Sequence, residues 1–472
     1  MTHKFKAFLL FSVLLGMVAC TETPVEAPAP FGALPTERQL AWHDLEFYAF
    51  VHFTTTTFRD VEWGYGDADP DEFQPSRYDP AQWVEVMKAA GMKGVILTAK
   101  HHDGFCLWPT KETDYCISNS SWRDGKGDVV GDLSREAEKA GLKFGVYLSP
   151  WDRHDLRYST PAYIDYYRAQ LRELLTQYGP IFEVWEDGAN GGDGYYGGRC
   201  EQRHISGNYY DWENTTALIH ELQPNTIVWG GGLDARWCGN ESGWMPEPNW
   251  AVHDVEAQDY WNPAEVDVSI RPGWFYHEKE DGDVKSLEHL MKIYYESIGR
   301  GANLILNIPP NKEGRIHPTD STRLVEFGQA LKREFSRPMP AKDVKSFSAT
   351  NVRGDSKAYA ARLVMDGQRD TYWATDDSIS QASVTLTFRK PHKLQTLRLR
   401  EPIQLGQRIE AYSIEIQTPD GQWEKKVEGT TIGPQHLSRL DGVEAQALRV
   451  NIEGSKACPL LSEIQPFLVP EE

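Results

Sequence analysis

The chain has 472 residues, a formal net charge of −20 at pH 7 and 12% aromatic residues, among them 16 Trp and 21 Tyr. This length exceeds that of one typical domain and predicts two domains. The negative charge argues against nucleic acid and anionic substrates, because phosphate binding needs clustered Lys and Arg, whereas Trp and Tyr, with an apolar face and a polar tip, suit a neutral ligand such as a sugar.

The N-terminus has the pattern of an export signal. A basic start is followed by the apolar run A-F-L-L-F-S-V-L-L-G-M-V-A and then Cys20, and the run is too short to span a bilayer. The end of this run resembles the cleavage pattern of bacterial lipoproteins. The resemblance implies that residues 1–19 are removed, that Cys20 is lipidated and that this anchor is the only membrane attachment, in the periplasm or at the outer membrane. The alternative is a simple secretory signal with an incidental Cys.

Residues 20–33 are Pro-rich and polar and predict an extended tether. From 34 to 338, strand-like runs alternate with helical patterns, such as the helix that begins with Asp79-Pro80 and ends at Gly91. The predicted strands are 47–53, 94–100, 143–150, 181–187, 226–230, 266–270 and 303–308. The predicted helices are 79–91, 132–141, 161–178, 216–222, 287–298 and 320–335.

Repeated strand–helix units predict an α/β fold with a parallel sheet and helices outside it. The number of units favours a closed (β/α)8-like, TIM-type barrel over an open sheet, so catalytic residues should lie at the C-terminal strand ends. Residues 343–468 change to short alternating runs separated by Gly, Asp and Pro, which is typical of an antiparallel β-sandwich. D-G-Q-R-D-T-Y-W-A, L-R-V-N-I and S-E-I-Q-P-F resemble the galactose-binding-like, discoidin-type sandwich, and Trp373 is expected in its core rather than as a sugar platform.

The run I-F-E-V-W-E-D-G-A-N-G (181–191) carries an acidic residue to a strand end. Apolar residues alternate up to Asp187, and a glycine follows at once. Trp185 shares a face with Asp187, because side chains alternate along a strand. A carboxylate beside an indole suits a sugar ring, since one group can stabilise positive charge while the other packs on the apolar C–H face. The alternative is that Asp187 caps the following turn.

Polar and aromatic side chains stand at the ends of the first four strands. They are His52, the pair His101 and His102, Tyr147 with Trp151, and Trp185. Neutral imidazoles and aromatic rings around a carboxylate suit hydroxyl recognition and stacking. The three His residues could instead bind a metal, but no H-E-x-x-H or paired Asp pattern supports a metal site, and we expect no cofactor.

T-A-K-H-H-D-G-F, E-V-W-E-D-G-A-N-G, W-C-G-N-E-S-G and S-I-R-P-G-W-F-Y-H together resemble the α-L-fucosidases of glycoside hydrolase family 29, over roughly residues 38–335. T-F-R-D-V-E-W-G and G-N-E-S-G resemble the branch that prefers α-1,3/1,4-linked fucose. The resemblance implies a (β/α) barrel and a retaining double displacement. Fucosylated oligosaccharides or glycoconjugates would be the substrates.

The resemblance also assigns roles. Asp187 matches the nucleophile, and Glu241, in the long stretch after the fifth strand, matches the acid/base; Glu265 and then Glu247 are the alternatives for the acid/base. The matched fucose-binding positions, with weaker matches at Arg236 and Trp274, are His52, His101, His102, Tyr147, Trp185, Arg236 and Trp274. Trp63 either shapes the site beyond the fucose or belongs to the core.

Two departures from the family pattern bear on the site. Glu186 stands where relatives usually have an apolar or aromatic residue; it should point away from the Asp187 face and needs a partner if buried. The first strand continues into V-H-F-T-T-T-T-F, which is polar where relatives often have small or apolar residues. Cys106 and Cys116 are candidates for a disulfide that the sequence does not decide.

These observations predict an exported, lipid-anchored, retaining exo-α-L-fucosidase. A non-catalytic glycan-binding protein on a degenerate barrel is the alternative of a different class, and the presence of both Asp187 and Glu241 argues against it. A retaining glycosidase for another deoxy-sugar or for galactose is the second alternative. The C-terminal domain either binds a glycan or braces the barrel.

Overall fold

The computed structural model describes residues 25–232 and 234–471. The predicted signal at residues 1–19, the lipidation site Cys20 and the first residues of the predicted tether lie outside this range. Within it, no helix is long and apolar enough to cross a membrane.

Eight parallel strands form a nearly closed barrel, as the alternation of strand and helix patterns predicted. The strands of the first part of the chain are β1 (Phe47–Val51), β2 (Gly94–Lys100), β3 (Lys143–Leu148), β4 (Ile181–Trp185), β5 (Asp193–Tyr196), β6 (Arg199–Gln202), β7 (Ile227–Trp229), β8 (Arg236–Trp237), β9 (Ala264–Ser269) and β10 (Asn303–Asn307). The barrel order is β7-β4-β3-β2-β1-β10-β9-β8, and a bridge between Trp229 and Ala235 joins its two ends. The hairpin β5–β6 forms a separate two-stranded sheet.

Helices surround the barrel, except for the short α2 (Thr55–Arg59), which follows the C-terminal end of β1. The others are α1 (Glu37–His43), α3 (Pro80–Ala90), α4 (Val129–Ala140), α5 (Pro161–Gln177), α6 (Trp212–Leu222), α7 (Leu287–Glu296) and α8 (Pro318–Glu334). The expected start and stop signals act as predicted in α3: the Asp79 side chain accepts the N–H of Gln82, and Gly91 ends the helix with a positive φ. The short β5, β6, β8, α1 and α2 were missed, because segments of so few residues show no clear period.

The second part of the chain is antiparallel, as predicted. Its strands are β11 (Val344–Ala349), β12 (Trp373–Ala374), β13 (Ala382–Arg400), β14 (Ile409–Gln417), β15 (Trp423–Gly429), β16 (His436–Ser455), β17 (Leu460–Leu461) and β18 (Glu463–Leu468). The main sheet runs β11-β13-β16-β14-β15, with β18 paired to β13. Trp373 is fully buried in this domain's core, which confirms its expected structural role.

The C-terminal domain is bonded directly to the barrel. Arg400 of β13 donates to the Glu46 carboxylate beside β1 at 2.9 Å, and Tyr295 of α7 hydrogen-bonds Thr396 at 2.7 Å. Residues 25–33 also run along this domain, since the N–H of Phe31 donates to the carbonyl of Leu405 at 3.0 Å. These contacts hold the second domain and the barrel together.

A fully buried ion pair fixes the start of α8. Arg271 Nε donates to Oδ2 of Asp320 at 2.8 Å, and neither side chain is exposed. Asp320→Ala leaves Arg271 with one carboxylate, Asp281 at 2.9 Å, and removes the partner that is buried with it, so we expect the free energy of unfolding to fall by about 3 kcal/mol. Urea unfolding of the full chain measures this effect. Glu313→Ala, which breaks the exposed pair with Arg77, should cost less than about 1 kcal/mol; equal losses would contradict the argument.

Candidate active site

A cavity of about 480 Å³ lies at the C-terminal ends of the barrel strands. Eight of the residues predicted for the site line it: His52, Trp63, His101, His102, Trp185, Asp187, Glu241 and Trp274. Trp151, Trp229, Trp237, Glu62 and Asp267 line it as well. The strand-end positions therefore converge as the barrel geometry predicts.

Asp187 follows β4 and keeps 45% of its side chain exposed. Its Oδ1 accepts the N–H of Gly188 at 2.7 Å, and its Oδ2 accepts the Tyr147 hydroxyl at 3.2 Å. Burial raises the pKa of Asp187 and the Glu241 carboxylate adds to the rise, while these two hydrogen bonds oppose it. The carboxylate is thus oriented by two donors and keeps open access to the cavity.

Only glycine fits directly after Asp187. Gly188 has φ +78°, and a Cβ there would lie 2.2 Å from Cε1 of His102. The missing side chain lets the imidazole reach the carboxylate, and His102 Nε2 lies 3.9 Å from Oδ2 of Asp187.

The three histidines are neutral. Burial lowers the pKa of His52 and of His102 to about 3 and puts the pKa of His101 well below its usual value. Nδ1 of His52 hydrogen-bonds Asn307 at 2.8 Å, and Nδ1 of His102 hydrogen-bonds Ser149 at 2.7 Å. Nδ1 of His101 is buried and has no partner within the described part of the chain. Neutral imidazoles held in this way offer donors and acceptors for hydroxyl groups.

Glu241 lies on the exposed loop after β8, at the edge of the cavity. Its Oε2 accepts the indole N–H of Trp274 at 3.2 Å. Asn240 closes the loop, because its side chain accepts from the N–H of Ser242 and donates to the carbonyl of Trp244. Glu241 therefore faces the same cavity as Asp187.

Aromatic rings form the floor and the rim. Trp185 stacks on Trp229 with the ring centroids 3.5 Å apart, and its indole N–H donates to Glu265 at 2.6 Å. At the rim, Trp63 is 59% exposed and Trp237 is 45% exposed. Trp63 therefore lies at the entrance and not in the core.

Three residues weighed from the sequence lie elsewhere. The guanidinium of Arg236 donates to Asn249 at 3.0 Å and to the carbonyl of Asn262, away from the residues that line the cavity. Glu265 is buried beneath Trp185. Glu247 pairs with Arg300 near the C-terminal domain.

Sequence reasoning missed Glu62 and Asp267. Asp267 is buried near the end of β9, and its Oδ1 accepts the Trp237 indole N–H at 2.7 Å. Burial raises its pKa well above the usual value, and the charges of Glu241 and Glu265 add to this. The predicted strand 266–270 put Asp267 near the start of the strand, whereas β9 (Ala264–Ser269) puts it near the end, so the strand-end rule identifies Asp267 only with the correct strand bounds.

Contacts within the protein explain both departures from the family pattern. Glu186 is buried, accepts the Tyr167 hydroxyl at 3.2 Å, and has its pKa raised by burial to about 8. A protonated carboxyl needs no charged partner. The polar run after β1 is explained by Asp103, whose Oδ2 accepts the hydroxyls of Thr54, Thr55 and Thr56. Cys106 and Cys116 are buried free thiols.

Within residues 25–232 and 234–471, no group of three or more His, Cys, Asp or Glu side chains is arranged to hold a metal ion. The chemistry of the cavity is that of two carboxyls, neutral imidazoles and indoles. This set can hold a polyhydroxylated ring and transfer a proton to or from it.

Known proteins match both parts of the chain. The family described as alpha-L-fucosidase matches residues 33–334, and an F5/8 type C domain matches residues 345–464. Alpha-L-fucosidase 1 of Arabidopsis thaliana is 38% identical over 98% of this chain and 93% of that protein. A solved glycoside hydrolase 29 family member from an unknown rumen bacterium is 42% identical, with a TM-score of 0.83 over 94% of this chain and 78% of that one. A Ruminococcus gnavus family 29 fucosidase in complex with fucose is 30% identical, with a TM-score of 0.84 over 95% of this chain and 97% of that one.

Proposed function

Because this chain belongs to the α-L-fucosidases of glycoside hydrolase family 29 and is a retaining glycosidase, we propose that Asp187 is its nucleophile and Glu241 its acid/base. The observation that supports this proposal is that both carboxyls face one cavity of neutral imidazoles and indoles. Two hydrogen-bond donors orient Asp187, and Glu241 lies on an exposed loop at the edge of the cavity, where it can reach a leaving group.

The reaction has two displacements. An oxygen of Asp187 bonds to the anomeric carbon of fucose as the glycosidic bond breaks, and Glu241 gives its proton to the departing oxygen. Glu241 then takes a proton from water, the water oxygen bonds to the anomeric carbon, and the ester to Asp187 breaks. Each displacement inverts the anomeric carbon, so the released fucose has the configuration of the substrate.

The neutral histidines bind the hydroxyl groups of fucose. His52 and His102 each have Nδ1 engaged by the protein, which leaves Nε2 for a hydroxyl. His101 lines the cavity too, and because its Nδ1 is buried, Nε2 is the ring nitrogen that a hydroxyl can reach. Trp185 and Trp274, which line the same cavity, supply apolar faces for the ring.

Tyr147 should set the acidic limb of activity. Its buried hydroxyl stays protonated and donates to the ionised form of Asp187. Tyr147→Phe removes this bond, so the pKa of Asp187 rises and the nucleophile becomes protonated at a higher pH. We expect kcat/KM to fall about tenfold and the acidic limb of its pH profile to move to higher pH. Tyr412→Phe, which removes a buried hydroxyl in the C-terminal domain, should leave the limb in place.

The linkage preference is proposed as α-1,3/1,4. The runs T-F-R-D-V-E-W-G and G-N-E-S-G support it, and the exposed Trp63 and Trp237 give the rim two platforms for the further sugars of a branched glycan. Release of free fucose from matched α-1,2-, α-1,3- and α-1,4-fucosylated oligosaccharides tests it. We expect release from the 1,3 and 1,4 members only, and release from all three would discard the preference.

Export with a lipid anchor at Cys20 is proposed from the N-terminal pattern alone. Expression in a bacterium with lipoprotein processing tests it by mass spectrometry and membrane fractionation. The wild type should be membrane-associated with a lipidated Cys20 as its first residue, and Cys20→Ser should not. An unmodified Cys20 in the wild type would support the alternative, a simple secretory signal.

A further inference from the structure

A histidine between two carboxylates lies beside the cavity. His277 Nδ1 is 2.6 Å from Oδ1 of Asp60, and its Nε2 is 2.6 Å from Oε1 of Glu62. The His277 side chain is 5% exposed. His277 follows β9, whereas Asp60 and Glu62 follow α2, so the three side chains join two separate walls of the site.

The geometry identifies the protonation state of His277. A neutral imidazole has one N–H and one lone pair. A lone pair 2.6 Å from a carboxylate oxygen is repelled, so two such contacts fit an imidazolium that donates from both nitrogens. Charge-assisted hydrogen bonds of this kind are short and about twice as strong as neutral ones.

Glu62 carries this contact to the cavity. Its Oε2 accepts the backbone N–H of Trp274 at 2.8 Å, and its Oε1 accepts that of Phe275 at 3.2 Å. Gly273 makes the approach possible, since a Cβ there would lie 2.6 Å from Oε1 of Glu62. The Trp274 indole N–H in turn donates to Glu241. His277 is therefore linked to Glu241 through Glu62 and Trp274.

We propose that protonated His277 is a positioning residue of the hydrolysis: it holds Glu62 against the backbone of Trp274 and thereby orients Glu241. The proposal rests on the acid/base role proposed for Glu241. Loss of the proton from His277 removes one of its two bonds and turns a lone pair toward a carboxylate. The Trp274 segment then loosens, and proton transfer by Glu241 slows.

The charges around His277 set the direction of its pH dependence. Burial lowers the pKa of His277, but the hydrogen bonds to Asp60 and Glu62 and the charges of Glu62 and Glu280 outweigh it, so the net shift is upward from 6.5. The other charged groups nearby are Arg271, which donates to the His277 carbonyl, and Lys279 and Lys312 beside Asp60. Both hydrogen bonds of His277 are therefore present below pH 6.5, the ordinary pKa of histidine. One of them is lost as the pH rises through the raised pKa of His277.

Nuclear magnetic resonance of ¹³C-histidine-labelled protein gives a direct test, with the His277 signal assigned by its absence in His277→Gln. We expect its ring to be doubly protonated at about pH 6.5 and to titrate above the ordinary histidine value. Asp60→Asn removes one negative charge, so the titration should move to lower pH. A ring that is neutral at that pH, or that does not respond to Asp60→Asn, overturns the proposal.

Kinetics test the positioning role. On a fucosylated oligosaccharide, His277→Gln should lower kcat/KM about tenfold at acidic pH. The gap should narrow above the His277 pKa and be smaller for an aryl fucoside, which needs less help from Glu241. His289→Gln, an exposed histidine on α7, should leave the profile unchanged. A loss that is the same at every pH and for both substrates overturns the positioning role.

The two proposals fail separately. If Glu241→Ala shows no dependence on the leaving group while His277 titrates as expected, the acid/base assignment fails and the paired contact of His277 stands. If Glu241→Ala behaves as an acid/base variant while His277 is neutral at acidic pH, the positioning role alone fails.

Discussion

Asp187→Ala should abolish the release of fucose, with kcat/KM lower by on the order of 10⁴-fold or more. In the proposed mechanism Asp187 supplies the oxygen that bonds to the anomeric carbon, and it is the carboxylate that the Gly188 N–H and the Tyr147 hydroxyl orient at the cavity. Release of fucose from an α-1,3- or α-1,4-fucosylated oligosaccharide measures the effect. Asp165→Ala, an exposed change on α5, is the control and should keep wild-type turnover.

A small external nucleophile distinguishes a missing nucleophile from a damaged fold. In Asp187→Ala, azide can enter the space left by the carboxylate and attack an activated aryl fucoside. It displaces the aryl group in one inverting step, which gives β-fucosyl azide. Fucose should still bind, because the histidines and indoles remain. Residual turnover near the wild-type level, or an α-configured azide product, would show that another residue is the nucleophile.

Glu241→Ala should show a loss that depends on the leaving group. A natural glycan has a poor leaving group that must be protonated, so its kcat/KM should fall by about 10²–10⁴-fold. An aryl fucoside with an acidic phenol needs no proton to form the ester and should be much less affected in that step. Azide should then react with the ester to Asp187 and restore turnover, giving α-fucosyl azide, because this product arises from two inversions.

The two other carboxyls weighed for this role serve as matched tests. Glu247 pairs with Arg300 away from the cavity, so Glu247→Ala should affect both substrate classes alike. Glu265→Gln alters a buried carboxyl that accepts the Trp185 indole and should likewise show no azide rescue. Azide rescue of Glu247→Ala or Glu265→Gln, together with full activity of Glu241→Ala on the glycan, would move the acid/base assignment to the rescued residue.

Most of the barrel and its active-site mouth could be predicted because the signals are local. Alternation of apolar residues, capping residues and stop glycines depend on neighbours in the chain, and they identified seven of the eight barrel strands. The rule that catalytic groups stand at C-terminal strand ends then brought Asp187, His52 and the His101–His102 pair to one place. The two-residue β8 has no period to detect.

Side-chain direction and depth were the parts that a linear reading could not resolve. Arg236 and Trp237 are neighbours on β8, and only the second faces the cavity, because consecutive strand residues point to opposite sides. Glu265 and Asp267 share a face of β9, yet Trp185 covers the first while the second reaches the cavity. Residues two apart on one strand lie at different depths in the barrel. Which of them is covered depends on side chains from other strands.

The residue order alone was sufficient for the barrel, the antiparallel second domain, the family and the two candidate catalytic carboxyls, since each depends on short motifs or local periodicity. Three-dimensional packing decided the neutral state of the histidines, the protonated state of Glu186 and the paired contact of His277. Such states depend on burial and on partners far away in the chain: His277 lies 217 residues from Asp60. Desolvation and charge act through space, so they are defined only once the chain has folded.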